Sequence, residues 1–309
     1  MAFGLSGNHP GFLSEFEVAL KSVLIHAPLE RDMHVHIIAD REAYQSLAEI
    51  FNRTNLSTWI TRNSIEIHAY DITPRLPELE KLILDTFIMG GFDPSINIGD
   101  LTNVHTMGAF FRLFAHRIIS TTVKHIVYMD TDVVIMANLD AIWQQIETNT
   151  NSLFHWGLGH CSGFVIFNVQ RMSEIWRLAG ASPMENISAT FNQDANDQLV
   201  LLSVNLTYPN EVAIFEDGWD MTVTEKWLYN DDLVERFPDV GMLHLNGAAN
   251  DDAYWKNHSF ISWFPDSWGN GNYSAILPWP WARYQAKAMI HPGSKGHMMN
   301  ITFWGTSLH

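Results

Sequence analysis

Residues 125–139 read HIVYMDTDVVIMANL. Ile126, Val127, Tyr128 and Met129 form an apolar run with the β-branched and aromatic content of a buried strand. The run ends on two aspartates, Asp130 and Asp132, separated only by Thr131, and the chain then turns apolar again. Carboxylates this close repel one another. Either water solvates them or a cation sits between them. In open α/β sheets, ligands bind outside the carboxyl ends of the strands, and this pair stands at such an end. Oxygen ligands there suit Mg²⁺ or Mn²⁺ bridging to a substrate phosphate. The plainer alternative is a solvated turn that closes the strand.

The flanking segments alternate between helix and strand patterns. FLSEFEVALKSVLIHA (12–27) puts Phe12, Phe16, Ala19, Leu20, Val23 and Leu24 on one helical face. MHVHIIAD (33–40) reads as a strand, with Asp40 as N-cap of a helix near 41–51. IEIHAY (65–70) is a strand, 78–89 is helical, and 90–105 is loop-like. MGAFFRLFAHRII (107–119) is an amphipathic helix carrying Met107, Phe110, Phe111, Phe114 and Ile118 on one face, with Arg112 and His116 on another. A helix follows the aspartates at 137–147. Later come a strand at 164–169, a helix at 196–205 and a short strand at 211–215. This alternation predicts an α/β fold built on a mostly parallel, doubly wound sheet. From Tyr254 onward the chain is dense in Trp and Pro, which predicts an irregular C-terminal part.

Composition narrows the function classes. Hydrophobic residues make up 47% of the 309 and charged residues 17%, which excludes a disordered chain. A net charge of −16 argues against nucleic acid as a partner and requires local cations for any phosphate ligand. Cys161 is the only cysteine, so no internal disulfide forms. Seven N-X-Ser/Thr sequons start at Asn52, Asn55, Asn186, Asn205, Asn257, Asn272 and Asn300. Roughly three would arise by chance. The excess points to the secretory lumen, Golgi or ER, with a cytoplasmic location still open. No apolar run reaches the roughly 18 residues of a membrane span, and the first residues lack the marks of a signal peptide. Any membrane anchor is expected outside this chain.

Four further features bear on chemistry. His244 is delivered from an apolar lead into LHLNGAANDD (243–252), and imidazole is a good ligand for Mn²⁺. Asp197-Gln198 opens an apolar helix, where capping alone would account for the Asp. Ser162-Gly163 opens the 164–169 strand, at a point where a ligand could approach closely. Arg112 either contacts phosphate or sugar, or pairs with a neighbouring acid.

The order of these pieces is more telling than any one of them. A helix carrying Arg112-Leu113 precedes an apolar strand ending in D-x-D. There follow a Ser162-Gly163 strand, an Asp197-Gln198 helix and H-x-x-G at His244 to Gly247. This order resembles the retaining glycosyltransferases of family 8 over about residues 12–252, and most closely their eukaryotic glucoside and xyloside xylosyltransferase branch.

The resemblance implies a GT-A fold, a UDP-sugar donor, a glycan or glycoside acceptor, and Mn²⁺ (or Mg²⁺) held by Asp130, Asp132 and His244. It implies that Arg112, Thr131, Ser162, Asn246 and Gly247 bind the donor. Asp197 would bind donor hydroxyls, and Gln198 would lie under the reacting carbon. The chain shows no internal repeat and no low-complexity linker, which predicts one domain over 1–309. Residues 1–136 form the nucleotide-binding half ending in D-x-D, 137–252 the donor and acceptor half, and 253–309 a Trp-rich tail.

Three departures stand against it. Asn250 occupies the family's lysine position, Cys161 replaces an asparagine, and the first strand is expected to be reduced to about AFGLSG (2–7). They keep open a homologue that binds sugar nucleotide without turnover. VYMDTDVV also fits the D-x-D-x-[TV] motif of aspartate-based phosphohydrolases, with Asp130 as nucleophile and Asp132 as acid/base.

Overall fold

The computed structural model describes residues 1–8, 10–27, 31–53, 65–95, 104–135, 138–157, 161–214, 219, 221–222 and 241–244. Asn246, Gly247, Asn250 and the Trp-rich tail therefore lie outside the described residues.

In chain order the elements are β1 (Ala2–Leu5), α1 (Pro10–Ile25), β2 (Met33–Ala39), α2 (Arg41–Arg53), β3 (Ile65–Asp71) and α3 (Leu76–Met89). Next come α4 (Val104–Phe114), β4 (His125–Met129), β5 (Val133–Ile135), α5 (Asp140–Thr148), β6 (Phe154–Trp156) and β7 (Phe164–Asn168). The last are α6 (Met172–Gly180), α7 (Met184–Phe191), α8 (Asp197–Thr207), β8 (Val212–Ile214), β9 (Met221–Thr222) and β10 (Met242–His244).

Seven strands form one sheet in the order β3-β2-β1-β4-β7-β6-β8. β3, β2, β1 and β4 are mutually parallel, β7 runs against both β4 and β6, and β8 is again parallel to β6. The sheet is thus the expected α/β arrangement with one reversed strand.

Both faces are covered, which explains why β4 and β7 read as unbroken apolar runs rather than alternating ones. Ile126 and Tyr128 of β4, with Val165 and Phe167 of β7, pack into one core with residues of α3, α4, α6 and α8. Val127, Met129, Phe164 and Ile166 point into a second core with residues of α1, α2 and α5. Of the face assigned to the first helix, Phe16, Ala19, Leu20, Val23 and Leu24 are fully buried. Asp40 caps α2 as expected, accepting from the Ala43 amide at 3.0 Å.

The first strand is short, as expected, with β1 spanning only Ala2–Leu5. β1 lies in the interior of the sheet, paired with β2 over four residues and with β4 over two. Its glycine is a packing requirement. A Cβ on Gly4 would fall 2.1 Å from the Tyr128 hydroxyl and 2.9 Å from the Gly108 carbonyl. Glycine there lets β4's tyrosine and helix α4 close on β1.

A second, small sheet has the order β5-β10-β9. β5 is the strand that follows the two aspartates. β10 pairs with it antiparallel, setting His244 opposite Val133. This pairing carries the site across more than a hundred residues of chain.

Candidate active site

The site is built from strand ends. β4 delivers Asp130 to the carboxyl edge of the main sheet, and the turn through Thr131 and Asp132 leads into β5. Because β10 lies on β5, the imidazole of His244 comes within 3.3 Å (Nε2 to Oδ1) of Asp132. One ligand atom each from Asp130, Asp132 and His244 lies within 4.8 Å of the others. Two carboxylate oxygens and one imidazole nitrogen make a donor set that suits Mn²⁺ or Mg²⁺. The residues fit a divalent cation.

The two aspartates also have partners within the protein, which neither water nor a cation between them would have supplied. Arg112 is 2% exposed, and its Nη2 donates to Asp130 Oδ1 at 2.6 Å. Its Nε lies 2.8 Å from the Ala109 carbonyl and 3.2 Å from Asp197 Oδ2, and its Nη1 donates to the Ser162 carbonyl. The guanidinium also lies over the Tyr128 ring, 4.8 Å from its centroid. Burial favours a neutral guanidine, but Asp130 and Asp197 outweigh it and keep Arg112 charged.

Of the two roles open to Arg112 in the sequence, pairing with a neighbouring acid is the one seen. Arg112 is the buried post between Asp130 and Asp197. Burial drives Asp130 up to about 6, with Asp132 adding repulsion and Arg112 pulling the other way. Burial pushes Asp132 upward too, but His244 beside it outweighs that and leaves it below the usual carboxylate range.

The Cys161-Ser162-Gly163 turn is locked by its carbonyls. Cys161 O accepts from the Trp156 indole N–H, Ser162 O from Arg112, and Gly163 O from the Asp130 amide at 2.8 Å. Ser162 thus serves through its backbone, with its side chain buried. The close approach that Gly163 permits is made by the protein itself. A Cβ there would lie 2.0 Å from His244 Cε1 and 2.6 Å from Nε2. Cys161 Sγ is also close, 3.6 Å from His244 Nδ1.

Asp197 does not cap α8. Asn196 does, its side-chain oxygen accepting from the Leu199 amide at 3.0 Å. Asp197 is the first residue of the helix, 4% exposed, and its Oδ2 faces Arg112. Gln198 follows it on the same helix and is half-buried. Thr131 lies in the turn between the aspartates and is half-buried. Sequence reasoning missed the positioning roles of Gly163, Tyr128 and Asn196. The N-D pair at 196–197 was the one signal that could have separated cap from site residue.

No curated protein matches the chain by sequence. Among solved structures, mouse xyloside xylosyltransferase 1 superposes with a TM-score of 0.56 at 12% identity, over 80% of this chain and 98% of that one. The galactosyltransferase LgtC, solved with donor and acceptor sugar analogues, superposes with a TM-score of 0.51 at 14% identity, over 86% of this chain and 96% of that one. Both share its GT-A fold. The model of glycosyl transferase family 8 matches residues 2–158, from β1 through the paired aspartates to the end of β6. That match covers just over half of the chain, which belongs to glycosyl transferase family 8.

Proposed function

We propose that this glycosyltransferase moves a sugar from a UDP-linked donor to a hydroxyl of a glycan or glycoside acceptor, with retention and with a divalent cation, Mn²⁺ foremost. UDP-xylose is the first choice of donor, followed by UDP-glucose and UDP-galactose. The observation that carries the reading is the convergence of Asp130, Asp132 and His244 from the β4 end and β10, with Arg112 and Asp197 directly behind them. Similarity of fold to a xylosyltransferase, and to a galactosyltransferase seen with sugar analogues, supports it. With the family established, the phosphohydrolase reading of the D-x-D motif falls away.

Asp130, Asp132 and His244 would hold the cation, and when bound it would supply positive charge against the negative charge that builds on a departing diphosphate. The rest of the work belongs to the chain. Arg112 fixes the Asp130 carboxylate and holds the Asp197 side chain aimed at the same space. Asp197 accepts from donor-sugar hydroxyls, and Gln198 offers a polar group to the sugar face in an oxocarbenium-like transition state. A glutamine amide is a poor nucleophile. Attack from the front face, with the leaving phosphate taking the acceptor's proton, fits it better than a covalent intermediate. The seven sequons support action in the secretory lumen. Among the described residues no helix is long and apolar enough to cross a membrane.

A UDP-release assay across the three donors, with and without Mn²⁺, tests the proposal. Asp132→Ala is expected to abolish both turnover and metal-dependent UDP binding; wild-type activity in that variant would remove the metal assignment. Gln198→Ala is expected to lower turnover while keeping UDP binding. A second reading, a homologue that binds without turnover, is favoured by Asn250 and Cys161 at positions where the family has lysine and asparagine. Metal-dependent UDP binding without release from any donor would select it.

A further inference from the structure

The sheet carries a second group of metal-ligating side chains, far from the aspartates. β2 and β3 pair in parallel with His34 opposite Glu66, His36 opposite His68, and Ile38 opposite Tyr70. Side chains alternate along strands, so His34, His36, Glu66, His68 and Tyr70 share one face at the β3 edge of the sheet. The two strands of a covered sheet should be apolar here. They read His-Val-His and Glu-Ile-His instead.

Three atoms form a nearly equilateral triangle. His34 Nδ1 is 3.1 Å from His68 Nε2 and 3.4 Å from Glu66 Oε2, and His68 Nε2 is 3.5 Å from the same Glu66 oxygen. Tetrahedral bonds of 2.0–2.1 Å to nitrogen and oxygen place neighbouring ligands about 3.3–3.4 Å apart. The triangle therefore matches one face of such a tetrahedron. A cation equidistant from the three atoms would lie slightly above their plane, with its fourth position toward solvent. The ligands are accessible, at 50% exposure for His34, 68% for Glu66 and 37% for His68.

The neighbouring rings on the same face are suited to hold them. His36 is buried and stacks on His68, with centroids 5.0 Å apart and planes at 16°, while His34 stacks on His68 at 5.4 Å. His36 Nδ1 is hydrogen-bonded to the Tyr70 hydroxyl at 3.0 Å.

We propose that His34, Glu66 and His68 form a second metal site, for a borderline transition-metal dication such as Zn²⁺, at the amino end of the β2–β3 edge. His34 lies four residues before Ile38, which is level with Gly4, itself next to the Phe3 that pairs with Met129. At the strand rise this sets the site about 13 Å below the level of Asp130 along the sheet. It is separate from the transfer site, and its His₂Glu donor set is richer in nitrogen and so more selective for Zn²⁺ than the Asp₂His set above.

The test is calorimetric titration of the full chain with Zn²⁺ alone, in the wild type and in Asp132→Ala, His34→Ala, His68→Ala and Glu66→Gln. One Zn²⁺ equivalent should survive in Asp132→Ala and weaken by at least about tenfold in each of the other three. Zn²⁺ should also raise the thermal midpoint of Asp132→Ala and not that of the double variant Asp132→Ala/His68→Ala, in which both sites are disabled. Glu66→Gln keeps the size of the exposed side chain, so it reports on ligation rather than folding, and circular dichroism of each variant checks the fold. The proposal is overturned if Zn²⁺ binding is unchanged in the His34 and His68 variants, or if Asp132→Ala alone removes it.

Discussion

The ring of His244 occupies the space that a side chain on Gly163 would need: a Cβ there would fall 2.0 Å from His244 Cε1. Gly163 ends the turn whose carbonyl accepts the Asp130 amide, so one residue sets the position of a ligand from each strand. Gly163→Ala is expected to push His244 away from Asp132 with little harm to the sheet, since β7 begins only at the next residue. Loss of a positioning contact typically weakens metal binding on the order of 10–100-fold. Calorimetric titration with Mn²⁺ should show that loss. A thermal midpoint close to wild type, measured alongside, would assign it to the site rather than to the fold.

Arg112 joins the catalytic edge to the core. It is the buried counter-ion of Asp130 and of Asp197, whose side chain is only 6% exposed. Removing one partner of a buried pair leaves an uncompensated charge, typically at 3–5 kcal/mol. Arg112→Ala should therefore lower the stability to urea by about 3–5 kcal/mol. Arg112→Lys keeps the charge but not the planar fork that reaches Asp130, Asp197 and the Ser162 carbonyl at once. It should recover part of the stability and little of the metal-dependent UDP binding. A lysine variant with wild-type binding would show that charge alone is enough.

Asn196 and Asp197 divide two tasks between neighbouring residues. Asn196→Ala removes the cap of α8 and should lower stability by about 1 kcal/mol. Asp197→Asn should leave the cap intact and instead reduce turnover, because it weakens the carboxylate that faces Arg112 at the site. Urea unfolding and UDP release measured on both variants separate the two. Equal loss of activity in both would mean that Asp197 acts only through the helix.

The sheet was legible where burial on both faces turned a strand into an apolar run, as in HIVYM and FVIFN. At β1 only a short stretch near residues 2–7 was legible, matching Ala2–Leu5. Gly4 weakens any strand pattern, yet it is required by the Tyr128 hydroxyl, a contact set by β4 more than a hundred residues away. The acidic pair was legible because two aspartates interrupt an apolar run. The approach of His244 was not, because it depends on β10 pairing with β5, and no periodicity records which strands pair. Helical spacing correctly placed the phenylalanines of α4 inside, but it set Arg112 apart from them. A charged residue is buried only when its partners come from elsewhere, here β4 and α8. The histidines of β2 and β3 carry no signal singly and acquire one only through the register that sets His34 beside Glu66.

Two histidines should make the fold sensitive to mild acid. Burial, followed by neighbouring positive charges, holds His36 near 3, and burial, followed by Arg117, holds His116 near 4. In the unfolded chain both would titrate near the ordinary value of about 6.5. Below that pH the unfolded state binds protons that the native state does not, so stability rises with pH across this window. The contribution of the neutral rings is fully present above about 6.5 and is lost as pH falls toward 4 and then 3. Urea midpoints should accordingly drop between pH 7 and pH 5, and His36→Gln, which cannot titrate, should flatten that dependence. Carboxylates held low, such as Glu174 on Arg171, lose their own contribution only at more acidic pH, below the ordinary range of glutamate. A slope between pH 7 and pH 5 that is the same in His36→Gln and in the wild type would remove His36 from this account.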